Sequence, residues 1–234
     1  MIYPVGDRDL IGKAQAVRDS GRVARGDIER VVADGNRVVI GIDEVGRGCL
    51  AGPVYAAAVA LDYKKLSART DAEKKLIRDS KTLSPSQRGR ILPVIREISR
   101  SFAVADASVC EIDSRGILQA TFLAMHRAIQ GLQVVPEFLL IDGHMPLPDS
   151  AIPQLPVIKG DGLCFAIAAA SIMAKEARDA YMRDISLSHP EYAFGEHAGY
   201  GTKQHLDAIY KVGPCALHRR SFAPVRDILA GRGI

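Results

Sequence analysis

The chain is expected to fold as an α/β domain with a smaller appendage, and three observations carry that expectation. Apolar runs of strand length lead into carboxylates at three places: Val38 to Ile42 before Asp43 and Glu44, Phe138 to Ile141 before Asp142, and Val157-Ile158 ahead of Lys159-Gly160-Asp161. Two longer stretches, Ile117 to Leu132 and Phe165 to about Ser186, have the apolar spacing of helices. A length of 234 residues suits one sizeable core with an appendage better than two equal domains.

Each element follows from local chemistry. Residues 1–36 form an N-terminal extension with helical patterns near Asp7 to Asp19 and Asp27 to Ala33, broken by Ser20-Gly21 and Arg25-Gly26; it reads as a mobile, solvated tail. The catalytic-core candidate, 37–186, opens with a β-branched strand. Pro53 then starts a second apolar run, Val54 to Leu61, expected to pair antiparallel with the first. A charged excursion, 62–84, ends at Ser84-Pro85, an N-cap and N1 pair for a helix that Pro93 should bend or interrupt. Ser101 to Ala107 reads as a third strand and 144–156 as a proline-rich loop. The remainder, 187–234, is a loop-rich region with three glycines between Phe194 and Thr202, then short helices.

Composition narrows the class without naming it. Hydrophobic content of 47% with 25% charged residues is ordinary for a globular protein, and a net charge of +4 leans only mildly toward anionic partners. The four cysteines include no C-x-x-C pair, so reduced thiols and a cytoplasmic location are expected. No apolar run reaches the length of a membrane span, and the N-terminus lacks a signal-peptide core.

The chemistry concentrates at the strand exits. Four acids, Asp43, Glu44, Asp142 and Asp161, could converge beyond the carboxyl ends of an α/β sheet. Carboxylates packed together repel unless a divalent cation neutralises them, and such a set suits two-metal hydrolysis of a phosphodiester. Gly46-Arg47-Gly48 adds a flexible backbone and a fixed positive charge for phosphate. Taken alone, Asp43-Glu44 could equally cap a turn. Strand alternation also places Asp43 and Glu44 on opposite faces, so both reach one site only if the strand ends or bulges there. Lys81, Arg47 and Lys175 are candidates for backbone contact or solvated surface, and Arg219 and Arg220 for phosphate binding or for clamping the C-terminal segment through carboxylates. The spacing of His197, His205 and His218 fits no zinc motif, and structural hydrogen bonding is expected of Asp113 and Asp179.

Gly41-Ile-Asp-Glu-Val-Gly-Arg-Gly48 with Ala51-Gly-Pro53 resembles the signature of ribonuclease HII, the bacterial type 2 ribonuclease H family. Asp79-Ser-Lys81, Ile117-Leu-Gln-Ala-Thr121, Leu140-Ile-Asp-Gly143, Lys159-Gly-Asp161, Gly199-Tyr-Gly-Thr202 and His218-Arg-Arg-Ser-Phe-Ala-Pro224 agree in order. The resemblance covers about residues 38 to 226. It implies a ribonuclease H-like mixed β-sheet flanked by helices, with a small helical C-terminal appendage. It also implies an endoribonuclease that hydrolyses the RNA strand of RNA/DNA hybrids and cuts 5′ of ribonucleotides embedded in duplex DNA, leaving 3′-hydroxyl and 5′-phosphate ends. Removal of such ribonucleotides and of RNA primers would be its role in DNA repair and replication, acting as a monomer with no membrane partner.

By family role, Asp43, Glu44, Asp142 and Asp161 bind Mg²⁺ or Mn²⁺ and are catalytic. Gly46, Arg47 and Gly48 read the 2′-hydroxyl, and Tyr200 packs on the deoxyribose past the RNA-to-DNA junction; Lys81 is a substrate-binding candidate by its charge and not by family role. The sequence departs from the family pattern at Cys49, Gly116, Gly162, Leu163, Cys164 and Ala166. None of these removes an acid, so any cost falls on substrate contacts. A catalytically silent binding module conflicts with the four intact acids. A phosphotransferase would want a nucleotide-binding glycine loop, which is absent from the sequence.

Overall fold

The computed structural model describes residues 5–21, 23–33 and 37–232. Five strands, β1 (Val39–Val45), β2 (Val54–Leu61), β3 (Ser99–Ala107), β4 (Phe138–Asp142) and β5 (Gln154–Val157), form one sheet in the order β3-β2-β1-β4-β5. The pairs β1-β2 and β2-β3 are antiparallel, whereas β1-β4 and β4-β5 are parallel. The sheet is therefore mixed, as expected. Its central strand is β1, and only Glu44 among the β1 residues is not fully buried.

Two helices cover the sheet. Ile40 and Ile42 of β1, with Leu139 and Ile141 of β4, pack toward the helix Ile117–Gln130 through Ala120, Ala124 and Met125. Across the sheet, Val45, Ala57 and Val59 meet the alanine-rich start of the helix Phe165–Ser188. The approach there is very close: a Cβ on Gly41 would lie 2.1 Å from the carbonyl carbon of Ala166. Small residues on both surfaces let the helix backbone sit directly on β1, beside the strand's acidic end.

Three expectations need correction. The helix Pro85–Ile98 continues through Pro93, which removes the interruption from the two alternatives of bend or break. Proline removes the hydrogen bond to the carbonyl four residues earlier, but that carbonyl belongs to Gly89, and both residues lie on the exposed face where water can satisfy it. The segment read as loop up to residue 156 contains β5, whose place at the sheet edge tolerates Pro156. Lastly, the described residues of the N-terminal extension do not form a solvated tail. Its helices, Val5–Asp19 and Asp27–Ala33, bury Leu10, Ala14, Ile28 and Val32 against Val39, Phe138, Leu140, Leu155 and Val157. Arg37 also bonds Asp7 at 2.8 Å.

The C-terminal appendage consists of the short helices Phe194–His197, Lys203–Val212 and Val225–Leu229 with loops between them. Its inner surface packs Tyr192 and Phe194 with Met182 and Ala51, which places it over the loop that leaves β1. No helix among the described residues is long and apolar enough to cross a membrane.

Candidate active site

Asp43 and Asp142 are brought together by strand pairing. The parallel register sets Ile42 opposite Ile141, so the next residue on each strand is an acid, and both stand at the carboxyl ends of neighbouring strands. Glu44 does not need the bulge that alternation seemed to demand. It stays in register opposite Ala56, pointing to the face away from Asp43, and lines a groove of about 120 Å³ with Arg47, Thr121, Asp142, Gly143 and His144. Asp161 arrives on the four-residue helix Gly160–Leu163, immediately after Lys159 in the left-handed conformation (φ 55°). The amide of Gly160 donates to Asp142 Oδ1 at 2.7 Å, which ties the third strand exit to the second.

The electrostatics link the four carboxyl groups through Asp142, which raises Asp43, Glu44 and Asp161. Burial raises Asp43 well above the usual carboxylate range, and the charges of Glu44 and Asp142 raise it further. Burial also raises Glu44, with the Arg47 guanidinium opposing and Asp142 adding to the rise. In Asp142 burial again dominates, against hydrogen bonds from the Gly160 and Asp161 amides. Asp161 is pushed up to about 6 by burial, by Asp142 and by Asp79, with Lys81 pulling the other way. Such clustering of raised carboxyl groups is characteristic of functional sites.

All four donors are hard oxygens, which fits a divalent cation in kind. Among the described residues, however, no three His, Cys, Asp or Glu side chains are gathered as a ligand set. Their oxygens have protein partners instead: the Glu44 amide donates to Asp43 Oδ1 at 2.7 Å, Arg47 reaches Glu44 Oε1 at 3.4 Å, and Gly160 engages Asp142.

The loop after β1 is held open from behind. Gly46 has φ 93°, and a Cβ there would lie 2.2 Å from Arg178 Nε, so only glycine fits. Arg178 is fully buried on the helix Phe165–Ser188 and donates to the carbonyls of Pro53, Ala198 and Ala51. Arg219, fully buried in the C-terminal segment, donates to the carbonyls of Gly46, Arg47 and Gly52 at 2.7 to 3.0 Å. It clamps the loop through carbonyls and leaves no fork free for phosphate. Gly199 accepts from the Leu50 amide at 2.8 Å, and Ala51 bridges to His218, so the appendage is stitched to the same loop. Tyr200 is thereby carried beside Gly46-Arg47-Gly48, 38% exposed, with its hydroxyl paired to the Cys49 thiol. Gly48 has open space where a side chain would be, and Arg47 stays half exposed.

Lys81 reaches the acidic side on the 3₁₀ turn Ser80–Thr82, where Asp79 accepts from its amide at 2.9 Å and Ser80 Oγ meets Ser171 Oγ at 2.9 Å. Ser171 also hydrogen-bonds Asp43, joining this turn to the buried acid. Lys175 pairs with Asp179, which Arg88 also engages, and Asp113 accepts from the Arg220 and Ser221 amides. His197, His205 and His218 pack together within the appendage, away from the acids. His205 Nε2 lies 3.1 Å from His218 Nε2, His197 stacks on His205, and burial pushes both His205 and His218 down to about 4. Asp79, Ser171 and Arg178 lie in segments whose pattern gives no sign of these roles, because each acts through a partner distant in the chain.

A mixed sheet with acids at adjoining strand ends, beside a glycine loop, places the protein in the ribonuclease H-like class. The crystal structure of ribonuclease H2 from Pyrococcus horikoshii OT3 superimposes with a TM-score of 0.68 at 22% identity, over 83% of this chain and 98% of that one. Bst-RNase HIII in complex with Mn²⁺ gives 0.61 at 23% identity, over 84% and 70% of the two chains. The family model of ribonuclease HII matches residues 40–225, and the chain is 48% identical over 190 residues to ribonuclease HII of Paraburkholderia xenovorans, 81% of this chain and 74% of that protein. The chain belongs to the ribonuclease HII family and is a hydrolase, an endoribonuclease acting on RNA/DNA hybrids.

Proposed function

We propose that this endoribonuclease cuts on the 5′ side of a ribonucleotide, whether in a hybrid or embedded singly in duplex DNA, leaving 3′-hydroxyl and 5′-phosphate ends. The observation that carries this reading is the parallel register that puts Asp43 and Asp142 at the ends of neighbouring strands, with the turn of Asp161 tied to Asp142 through Gly160, beside a glycine loop to which Gly199, next to Tyr200, is bonded. A reactive phosphate and its neighbouring sugars would thus be read by one continuous surface.

Asp43, Glu44, Asp142 and Asp161 would hold Mg²⁺ or Mn²⁺. The bound ions would supply an activated water and charge stabilisation for the leaving oxygen. The chain's own groups do the positioning. Backbone amides around Gly46 and Gly48 approach the 2′-hydroxyl, the one group that separates RNA from DNA, because the two buried arginines fix the loop from behind. Arg47 and Lys81 offer positive charge to phosphates on either side of the acids. The exposed Tyr200 ring gives a flat surface for the sugar past the junction, which is indifferent to base identity. Clearing ribonucleotides and RNA primers from DNA is the role this specificity serves.

The test uses a labelled duplex with one internal ribonucleotide, with Mg²⁺ or Mn²⁺, an EDTA control and an all-DNA control. Metal-dependent incision immediately 5′ of the ribonucleotide, absent from all-DNA, is expected. Cleavage restricted to long hybrids would remove the junction reading assigned to Gly46-Arg47-Gly48 and Tyr200.

A further inference from the structure

We infer that residues 25–29 of the N-terminal extension set the position of Asp161, with Glu29 as the central positioning residue. The inference rests on the reading of Asp161 as a metal-binding acid.

The helix Phe165–Ser188 starts without a cap of its own. Cys164 occupies the N-cap in extended conformation and makes no side-chain cap bond, which leaves the first-turn amides in need of acceptors. Glu29 supplies them from 136 residues away: its carboxylate accepts from Phe165 N at 2.9 Å and from Ala166 N at 2.7 Å. Tyr63 donates its hydroxyl to the same group at 3.1 Å, and Glu29 is only 1% exposed. Burial pushes this carboxyl group up in pKa, and the three hydrogen bonds act against that rise.

The neighbouring residues continue the grip backwards along the turn. Gly26 N donates to Leu163 O at 2.9 Å, and Arg25 Nη2 donates to Asp161 O at 3.1 Å with its guanidinium over the Phe165 ring at 4.5 Å. Residues 161, 163, 165 and 166 are thus all held by residues 25, 26 and 29. A four-residue helix has too few internal bonds to fix its own orientation. The turn that presents Asp161 therefore takes its placement from this docked segment on one side and from the Gly160 to Asp142 bond on the other. Cys164, unable to cap as a serine or aspartate would, makes the distant carboxylate necessary.

The decisive measurement is metal binding by the substrate-free protein, read as Mn²⁺ affinity by electron paramagnetic resonance, together with the Mg²⁺ concentration for half-maximal incision. Glu29→Ala and Arg25→Met are compared with Leu10→Ala, which removes packing from the preceding helix Val5–Asp19 and leaves residues 25–29 unchanged. For Glu29→Ala, Mn²⁺ affinity is expected to fall and the Mg²⁺ requirement to rise by about tenfold, with the rate recovering at saturating metal. Arg25→Met should shift both in the same direction by less, and Glu29→Gln, which keeps one acceptor oxygen, should fall between wild type and Glu29→Ala. Leu10→Ala should lower the melting temperature and leave both metal readouts unchanged. Wild-type metal readouts in Glu29→Gln and Arg25→Met would overturn the inference, even if Glu29→Ala fails to fold. Asp161→Asn run alongside separates the two levels. If it binds Mn²⁺ and cleaves like wild type, the assignment of Asp161 fails and takes the inference with it; if it is inactive while the Glu29 and Arg25 variants match wild type, only the inference fails.

Discussion

Asp43→Asn is expected to reduce cleavage by about a thousand-fold or more, equivalent to about 4 kcal/mol of lost transition-state stabilisation, while hybrid binding persists. It should also make the metal-free protein more stable. Asp43 is 5% exposed, and its charge stands against those of Glu44 and Asp142, so the ionised form is disfavoured by burial and repulsion. An amide of the same shape removes that charge. The melting temperature in EDTA should therefore rise by about 3 °C for each kcal/mol of relief, and added Mg²⁺ should stabilise wild type more than the variant.

Asp161→Asn gives the pH dependence of the same effect. The folded protein holds the Asp161 carboxyl at about 6, above the ordinary aspartate value of about 3.9. Between these values the folded state binds more protons than the unfolded chain, so this group's contribution is fully favourable below about 4 and is lost as pH rises through about 6. The stability advantage of Asp161→Asn over wild type in EDTA should be largest above pH 6 and shrink as pH falls toward 4. An advantage independent of pH, measured by thermal melts across that window, would contradict the burial and repulsion assigned to this acid. Activity lost by Asp43→Asn together with hybrid binding would place Asp43 in the substrate surface instead of the chemistry.

The second large effect is expected at Arg219. Its guanidinium donates to three carbonyls of the loop 46–52 from a fully buried position, and burial lowers its pKa to about 10. Lysine keeps the charge but has no planar fork, so it can satisfy only part of this set. Each buried carbonyl left unpaired costs about 1–3 kcal/mol. Arg219→Lys should therefore destabilise the fold by about 3 kcal/mol and loosen the backbone around Gly46 and Gly48. In the incision assay, discrimination between the single-ribonucleotide duplex and a long hybrid should narrow, while the metal requirement stays unchanged. A variant with normal stability and selectivity would show that the clamp does not set the loop.

The acids, the glycine loop and the strand ends were legible in the sequence because their signals are local. An apolar run ending in Asp43-Glu44 or Asp142 is a strand exit whatever the rest of the chain does, and Gly46 marks a backbone that no side chain could share. Pairing, in contrast, is decided by tertiary contacts. Only the parallel register of β1 and β4 puts Asp43 and Asp142 side by side, and it does so with Glu44 on the other face and no bulge. β5 was missed, and a bend could not be told from an interruption at Pro93, for a related reason: a proline is tolerated where its missing bond faces solvent or a sheet edge, and exposure is not written in local sequence.

The extension shows the same division. Its helices could be read from their pattern, but Ile28, Val32 and Glu29 acquire partners only when the sheet and the start of the helix Phe165–Ser188 are in place. Arg219, open in sequence to phosphate or carboxylate partners, is a buried clamp on loop carbonyls, and Arg178 acquires the same role because loop carbonyls collect around it. The sequence by itself thus determined the family and that apolar strands lead into the candidate acids. The tertiary structure decided which face each acid occupies, what fixes the loop from behind, and that a distant carboxylate caps the helix behind Asp161. Local propensity and residue type act over a few neighbours, whereas burial and hydrogen-bond partnership exist only between segments that folding has brought together.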